Sequence, residues 1–447
     1  MTLPLGTGPL GTGPLGPGES PGRPPDTESP GVRELLGKLR LDPTPLRESP
    51  AFRRLWLAQS ASFVGSEVGY VALSYQVYAL TGSTLAVGLL ALTELVPMLT
   101  MTLVGGALAD AFDRRRLMLL QQCGMIVGTA IILANTASGD PQVWPCFVGV
   151  FVTVAAFAFG AGAQHSLLPK LVPDGQLVAA NNLNSLISSL GAVAGPALAG
   201  VLIATVGLTT AYALDTATFF LTLAAVWRLP SLRPEGGGES PSLRSIVDGF
   251  RFIRRMPVIL GFMLVDTNAM IFGMPTALFP ALATHRFHDP SLVGYLYAAT
   301  YAGALVASVL GGWVNHVRRQ GLVVVIAASL WGAAIAAFGF ATQLWLALLL
   351  LALAGGADLV SAVLRGTMLL ELTPDSLRGR LTGIEFAQVA NAPALGNLEA
   401  GVVASVTSIR TSIVSGGIAC VVGCFALALA FPALIRYHSR ARDPAPA

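Results

Sequence analysis

Seven carboxylates and one guanidinium interrupt stretches of sequence that are otherwise almost wholly apolar: Glu67, Glu94, Asp215, Asp266, Asp358, Glu385, Glu399 and Arg365. An ionised group placed in hydrocarbon costs a few kcal/mol, so such residues usually face protein or a wet cavity. Withdrawal from water favours the neutral form of a carboxyl, which lets it take up and release a proton near neutral pH. Counting about 1.5 Å per helical residue puts Glu67, Glu94, Asp266 and Asp358 near the middle of their segments. Asp215 and Glu399 fall nearer the segment ends and read as structural. Phe63, Glu67, Tyr70, Ser74 and Tyr78 recur every three or four residues, which lines them along one helical face. That polar and aromatic stripe suits an amphipathic organic ligand. Asp358 and Arg365 are two turns apart on a common face and could share an ion-pair network.

The elements that hold these groups follow from composition. Of 447 residues, 53% are hydrophobic and 11% charged, about half the charged share of an ordinary soluble domain. A polytopic membrane protein is the class that remains, and a net charge of +3 gives no ground for a nucleic-acid partner. Apolar segments of roughly the 20 residues needed to cross hydrocarbon are expected at 55–80, 84–109, 117–136, 143–165, 178–205, 208–229, 257–284, 290–315, 321–340, 343–370, 379–407 and 411–435. The fold expected is therefore all-α, with twelve transmembrane helices in two six-helix bundles, 51–229 and 257–436. A cytoplasmic linker at 230–256 separates them and ends in an amphipathic helix from Leu243 to Arg255. Residues 1–50, built on repeats of Pro-Leu-Gly-Thr-Gly, read as a disordered tail without the features of a signal peptide. Residues 437–447 form a second tail.

Charge placement orients the segments. Fourteen basic residues, among them Arg114, Arg115, Arg116, Lys170, Arg228, Arg318, Arg319, Arg378 and Arg380, fall in one set of loops. Only Arg286 and Arg410 fall in the alternate set. The positive-inside rule then places both termini in the cytoplasm of a multi-pass cell-membrane protein. Leu171-Val-Pro-Asp174 and Leu372-Thr-Pro-Asp375 precede spans 5 and 11 at a shift of 201. The same shift carries Gly195 onto Gly396 and Gly200 onto Gly401, and Gly105-Gly106 has a counterpart in Gly311-Gly312. Two halves of like direction fit a two-bundle transporter better than a channel or receptor.

The segment Gly106-Ala-Leu-Ala-Asp110-Ala-Phe-Asp113-Arg114-Arg115-Arg116-Leu117 resembles the loop signature of the major facilitator superfamily, and the resemblance covers residues 52–435. Ala111 and Asp113 depart from the general pattern. The D-x-F-D-R-R version is similar to the drug:proton antiporter subgroup that holds enterobactin exporters and macrolide or multidrug efflux pumps. The resemblance implies that Gly106, Asp110, Arg114 and Arg115 form a gating loop. Asp110 would meet the start of span 11, and the arginines would clamp the two bundles at their inner face. In span 5, Gly191-Ala-Val-Ala-Gly195-Pro196-Ala-Leu-Ala-Gly200 is similar to an antiporter motif of the same family, with Ala199 in place of a glycine. Its small residues give a smooth packing face, and Pro196 permits a bend. The superfamily lines its central cavity with spans 1, 4, 7 and 10. This makes Glu67, Asp266 and Asp358 the candidates for proton coupling, and Phe63, Tyr70, Ser74, Tyr78 and Arg365 the candidates for contact with substrate. Span 4 lacks the arginine that marks one class of proton antiporters, so the coupling group stays open.

No phosphate-binding glycine loop, H-E-x-x-H or G-x-S-x-G occurs, so neither ATP hydrolysis nor intramembrane hydrolysis has visible machinery and no enzyme activity is expected. Nor do the cysteines, all in apolar stretches, call for a metal or cofactor. The function expected is export of a small amphipathic organic compound, drug-like or siderophore, by a monomer in the lipid bilayer that exchanges it for protons. An uptake permease of the same fold and a non-transporting membrane regulator are the alternatives.

Overall fold

The computed structural model describes residues 42–165, 167–173, 175–230 and 243–438. The tail before residue 42, Asp174 of the repeated tetrapeptide, most of the linker's first part and the residues after 438 lie outside the described residues. So do the side chains of Asp110 and Ser376.

Among the described residues, twelve long helices match the expected segments: α1 Pro50–Thr81, α2 Thr84–Ala111, α3 Arg114–Ala137, α4 Trp144–His165, α5 Leu177–Thr205, α6 Leu208–Trp227, α7 Pro257–Phe272, α8 Leu292–Leu310, α9 Gln320–Phe338, α10 Leu344–Leu372, α11 Asp375–Val406 and α12 Ile409–Ala430. Ten regions among the described residues are long and apolar enough to cross a membrane. α1 and α11 fall below that hydropathy although each has 32 residues. Both carry the acids and amides discussed below, which lower their mean hydropathy. The amphipathic helix is found at Leu243–Arg255, with Ile253 buried and Phe250 exposed.

One boundary of the tail moves. Thr44–Glu48 is a short helix. Ser49 then caps α1 by accepting from the Phe52 amide at 3.1 Å, while its hydroxyl donates to the Leu171 carbonyl at 2.7 Å. A serine followed by proline is a strong helix start, and the added long-range bond ties these residues to the membrane body.

The packing repeats. Contacts α1–α5, α1–α6, α2–α4, α3–α4 and α3–α6 recur as α7–α11, α7–α12, α8–α10, α9–α10 and α9–α12. Two pairs make the broadest crossings between the halves, α2 with α11 and α5 with α8. Glycines make both crossings: a Cβ on Gly200 would strike the Ser291 backbone beside Gly294, and one on Gly401 would strike the Thr84 backbone beside Gly88. Gly88 and Gly294 differ by 206 positions and Gly200 and Gly401 by 201, so one crossing is the image of the other. All four lie toward the end away from the arginine-rich loops, here the far end. At the basic end, Gly106, Gly312, Gly366, Gly379 and Gly383 have open space around them. The halves are thus sealed at one end and parted at the other.

α7 breaks before the far end. Gly273 ends the helix, Thr276–Leu278 form a 3₁₀ turn, and Phe279–His285 resume the course. Breaking a helix strands backbone groups that must find partners. Asn397 of α11 supplies one acceptor, taking bonds from the Thr276 hydroxyl at 2.6 Å and the Ala277 amide at 2.9 Å. The Tyr297 hydroxyl donates to the Thr276 carbonyl at 3.0 Å.

Candidate functional site

The stripe on α1 runs along a path between the halves, and its members meet different surroundings. Phe63 lines a cavity of about 610 Å³ at the basic end. Tyr70 lines a second cavity of about 270 Å³ at mid-height, with Glu94 and Met98 of α2, Phe157 of α4 and Asn391, Pro393 and Asn397 of α11. Ser74 and Tyr78, expected to line the cavity, are instead buried within the far-end seal. Tyr78 meets His285 edge-on with ring centroids 6.0 Å apart. Tyr70 and Tyr297 form a T-shaped pair across the halves at 5.8 Å, a contact worth roughly 0.5–1.5 kcal/mol.

Glu67 sits between the two cavities, its side chain resting on Gly195. Glu94 and Asp358 stand on α2 and α10. None of these three has an ion-pair or hydrogen-bond partner among the described residues. Three tyrosines lie among them: Tyr70 within electrostatic reach of Glu67 and Glu94, Tyr297 of Glu94, and Tyr301 of Glu67 and Asp358. Carboxyls of both halves therefore converge on one aromatic cluster. Glu94, an embedded acid that the family's cavity helices did not single out, lies in this cluster because α2 and α11 wall the inter-half cavity.

Asp266 is placed otherwise. It is buried and ion-paired with Arg365, and Gln388 donates to its second oxygen at 3.1 Å. Both charged side chains are under a tenth exposed. Burying two charges is tolerated when geometry and further hydrogen bonds offset their lost hydration. Arg365 is held in this pair and lines neither cavity, and Asp358, two turns away, feels it only through space. Glu385 of α11 also stands in its field. Expected as a possible partner of Asp358, Arg365 is instead committed to α7.

The two motif regions also resolve. In α5, Gly191 seats the Phe63 ring, Gly195 seats Glu67, and Pro196 and Gly200 meet Gly294 of α8. One face of small residues thus serves α1 within the half and α8 across it. At the loop after α2, Asp113 caps α3 by accepting from the Arg115 amide at 2.9 Å. The Arg115 guanidinium donates to the Trp227 carbonyl at 2.5 Å, closing α3 onto α6. That clamp lies within one half, not between the two as expected. Asp375, at the start of α11, pairs with exposed Arg378 at 2.8 Å. A side chain on Gly106 would meet open space, and its neighbour Gly105 makes the close approach, against Phe159 of α4.

Comparison with known proteins agrees with this architecture. The transmembrane secretion effector family model matches residues 43–446. The enterobactin exporter EntS of Citrobacter koseri is 31% identical over 377 residues, 83% of this chain and 89% of that protein. EntS of Escherichia coli O81 matches equally. Among solved structures, a bacterial homologue of the human lysosomal transporter Spinster superposes with a TM-score of 0.69 at 14% identity, covering 89% of this chain and 99% of that one. The nucleoside transporter NupG gives 0.65 at 15% identity, covering 87% and 99%. The latter two share the fold alone. A signature loop, a repeated six-helix packing and a match across nearly the whole length converge, and the chain belongs to the transmembrane secretion effector family of the major facilitator superfamily, a family of multi-pass membrane transporters rather than enzymes.

Proposed function

We propose that the protein exports small amphipathic organic compounds from the cytoplasm in exchange for protons, by rocking of its two halves around the mid-height cavity. One observation carries the reading: the halves meet through glycines at the far end, glycines at the basic end face open space, and around the mid-height cavity stand Glu67, Glu94 and Asp358, with no ion-pair or hydrogen-bond partner among the described residues. The positive-inside rule assigns the basic end to the cytoplasm, so this state loads from within. Glu67, Glu94 and Asp358 are the groups that alternate between proton and substrate. Asp266, already held by Arg365, is not among them. A carboxyl that must be charged in one state and neutral in the other cannot be permanently paired, because neutralising it strands its partner's buried charge at a cost of several kcal/mol. The 31% identity to enterobactin exporters supports outward transport of an organic solute.

The test is efflux from proteoliposomes under an imposed pH gradient, with a lipophilic dye as reporter. Glu67→Gln, Glu94→Gln and Asp358→Asn should each lower gradient-driven transport by about tenfold or more, the scale of one lost kcal-level coupling step. Gradient-independent exchange should persist. Unimpaired pH-driven transport in all three variants overturns proton coupling through this cluster. Cells lacking the gene should accumulate more of the dye, and lower accumulation would favour uptake.

A further inference from the structure

The basic-end cavity differs in kind from the acidic one. Its walls come only from the first half: the start of α1, the end of α4 with the turn that follows, and the start of α5. Among the described residues no ionisable side chain lines it. Gln59, Gln164, Asn181, Asn184, Ser185 and Ser188 do, beside the rings of Phe52, Trp56 and Phe63. The indole N–H of Trp56 is buried there and has no acceptor, which a native structure seldom leaves unexplained. Asn181, Ser185 and Ser188 are exposed on a helix that otherwise reads as a membrane span. Amides and hydroxyls in that position need water or a hydrogen-bonding ligand, because lipid chains offer neither.

This cavity does not end at the polar wall. A second hollow of about 430 Å³, lined by Val64, Leu190, Ala194, Leu198 and Leu214, shares Ser60 and Ile187 with it. Together they form one groove along the α1–α5 seam, polar at the basic end and apolar toward the far end. From Asn181 to Leu198 it follows about 25 Å of helix, which exceeds one leaflet's half of a hydrocarbon core about 30 Å thick. We infer that this groove is a loading site for an uncharged amphiphile, with a head bearing hydroxyl or amide groups among the amides and serines and a hydrocarbon portion along the apolar stretch. Charge complementarity selects the class: among the described lining residues a cationic head finds no carboxylate and an anionic head no cation. Phe63, seated on Gly191, stands where the groove meets the stripe that leads to Glu67, so a bound molecule is one helical turn from the acid cluster. The inference rests on the transport reading and names the substrate class that reading leaves open.

The experiment uses the full chain in phosphatidylcholine nanodiscs and an alkyl maltoside carrying a diazirine in its chain. Chains of the same length with a trimethylammonium or a sulfate head, and a phosphatidylcholine bearing the same diazirine, serve as comparisons. The maltoside should label α1 and α5 saturably and compete with unlabelled maltoside, and the charged chains should label the seam weakly. Asn184→Leu with Ser188→Leu should weaken saturable labelling about tenfold, the loss of one to two hydrogen bonds. Ile187→Trp, which fills the junction of the two hollows, should abolish it and slow dye export. If the double variant does not fold, the Trp variant and the head-group series decide alone. Labelling that never saturates, or that is equal for phosphatidylcholine, marks the seam as ordinary lipid contact and overturns the site. Saturable labelling with export untouched by Ile187→Trp overturns its role in loading. Labelling that survives Glu67→Gln while pH-driven transport is lost supports the site and separates it from the coupling step.

Discussion

The two halves of this protein share a backbone plan and divide the electrostatics. Gly195 of α5 and Gly396 of α11 occupy matching seats, but Gly195 receives Glu67 and Gly396 receives the main chain at Met270 and Ile271. In the first half, Glu67 and Glu94 have no counter-charge. In the second, Arg365 stands among Asp266, Asp358 and Glu385, and one of the three holds it. A repeat fixes where helices cross, whereas the side chains placed on it decide which half is locked by charge and which is free to exchange it.

The largest test of that division is Arg365→Met. It strands a buried carboxylate and should cost about 3–5 kcal/mol, read as a lower unfolding midpoint in detergent. Adding Asp266→Asn should restore most of the loss. Glu67→Gln, by contrast, should leave stability within about 0.5 kcal/mol, and equal effects would erase the contrast between the halves. Next come the seals. Gly200→Leu and Gly401→Leu each force a side chain against backbone and should cost about 1–3 kcal/mol in the far-end-closed state. Because the crossings are images of one another, the two variants should raise thiol labelling of a Ser291→Cys reporter from the far side alike. A difference of more than a few-fold would show that the symmetry is only geometric. Asn397→Ala removes the acceptor for two donors at the α7 break and should cost about 1–3 kcal/mol, seen as a lower midpoint. Smallest is the pair Tyr297→Phe and Tyr70→Phe. The first loses its bond to the Thr276 carbonyl, about 1 kcal/mol. The second loses no such bond in this structure and should be nearly silent in stability.

Much of the scaffold was legible because membrane helices announce themselves by length and hydropathy. The twelve segments, the Leu243–Arg255 helix and the repeat can all be read from spacing. The break in α7 could be suspected from Gly273 and Pro275 but not its partners, since Asn397 lies more than a hundred residues away. Site assignment went less far for the same reason. Helical spacing on α10 put Asp358 and Arg365 on one face, but spacing says nothing of the neighbouring helix, where Asp266 proved the better-placed acid. Periodicity on α1 lines the stripe along one face and could not say that its last two members are walled off by Tyr297 and His285. The amides of α5 carried no decision in sequence, because a helix start can cap, pack or bind with the same residues. Only the hollow beside them separates those roles.

The two far-end crossings are built from main-chain atoms facing glycines, with the Thr84 hydroxyl bonded to the Gly401 carbonyl at 3.2 Å. The glycine contacts themselves hold no charge to screen, and the ionisable ring of His285 stands beside them, against Tyr78. Parting the halves at that end therefore means lifting backbone off backbone, a step set by fit.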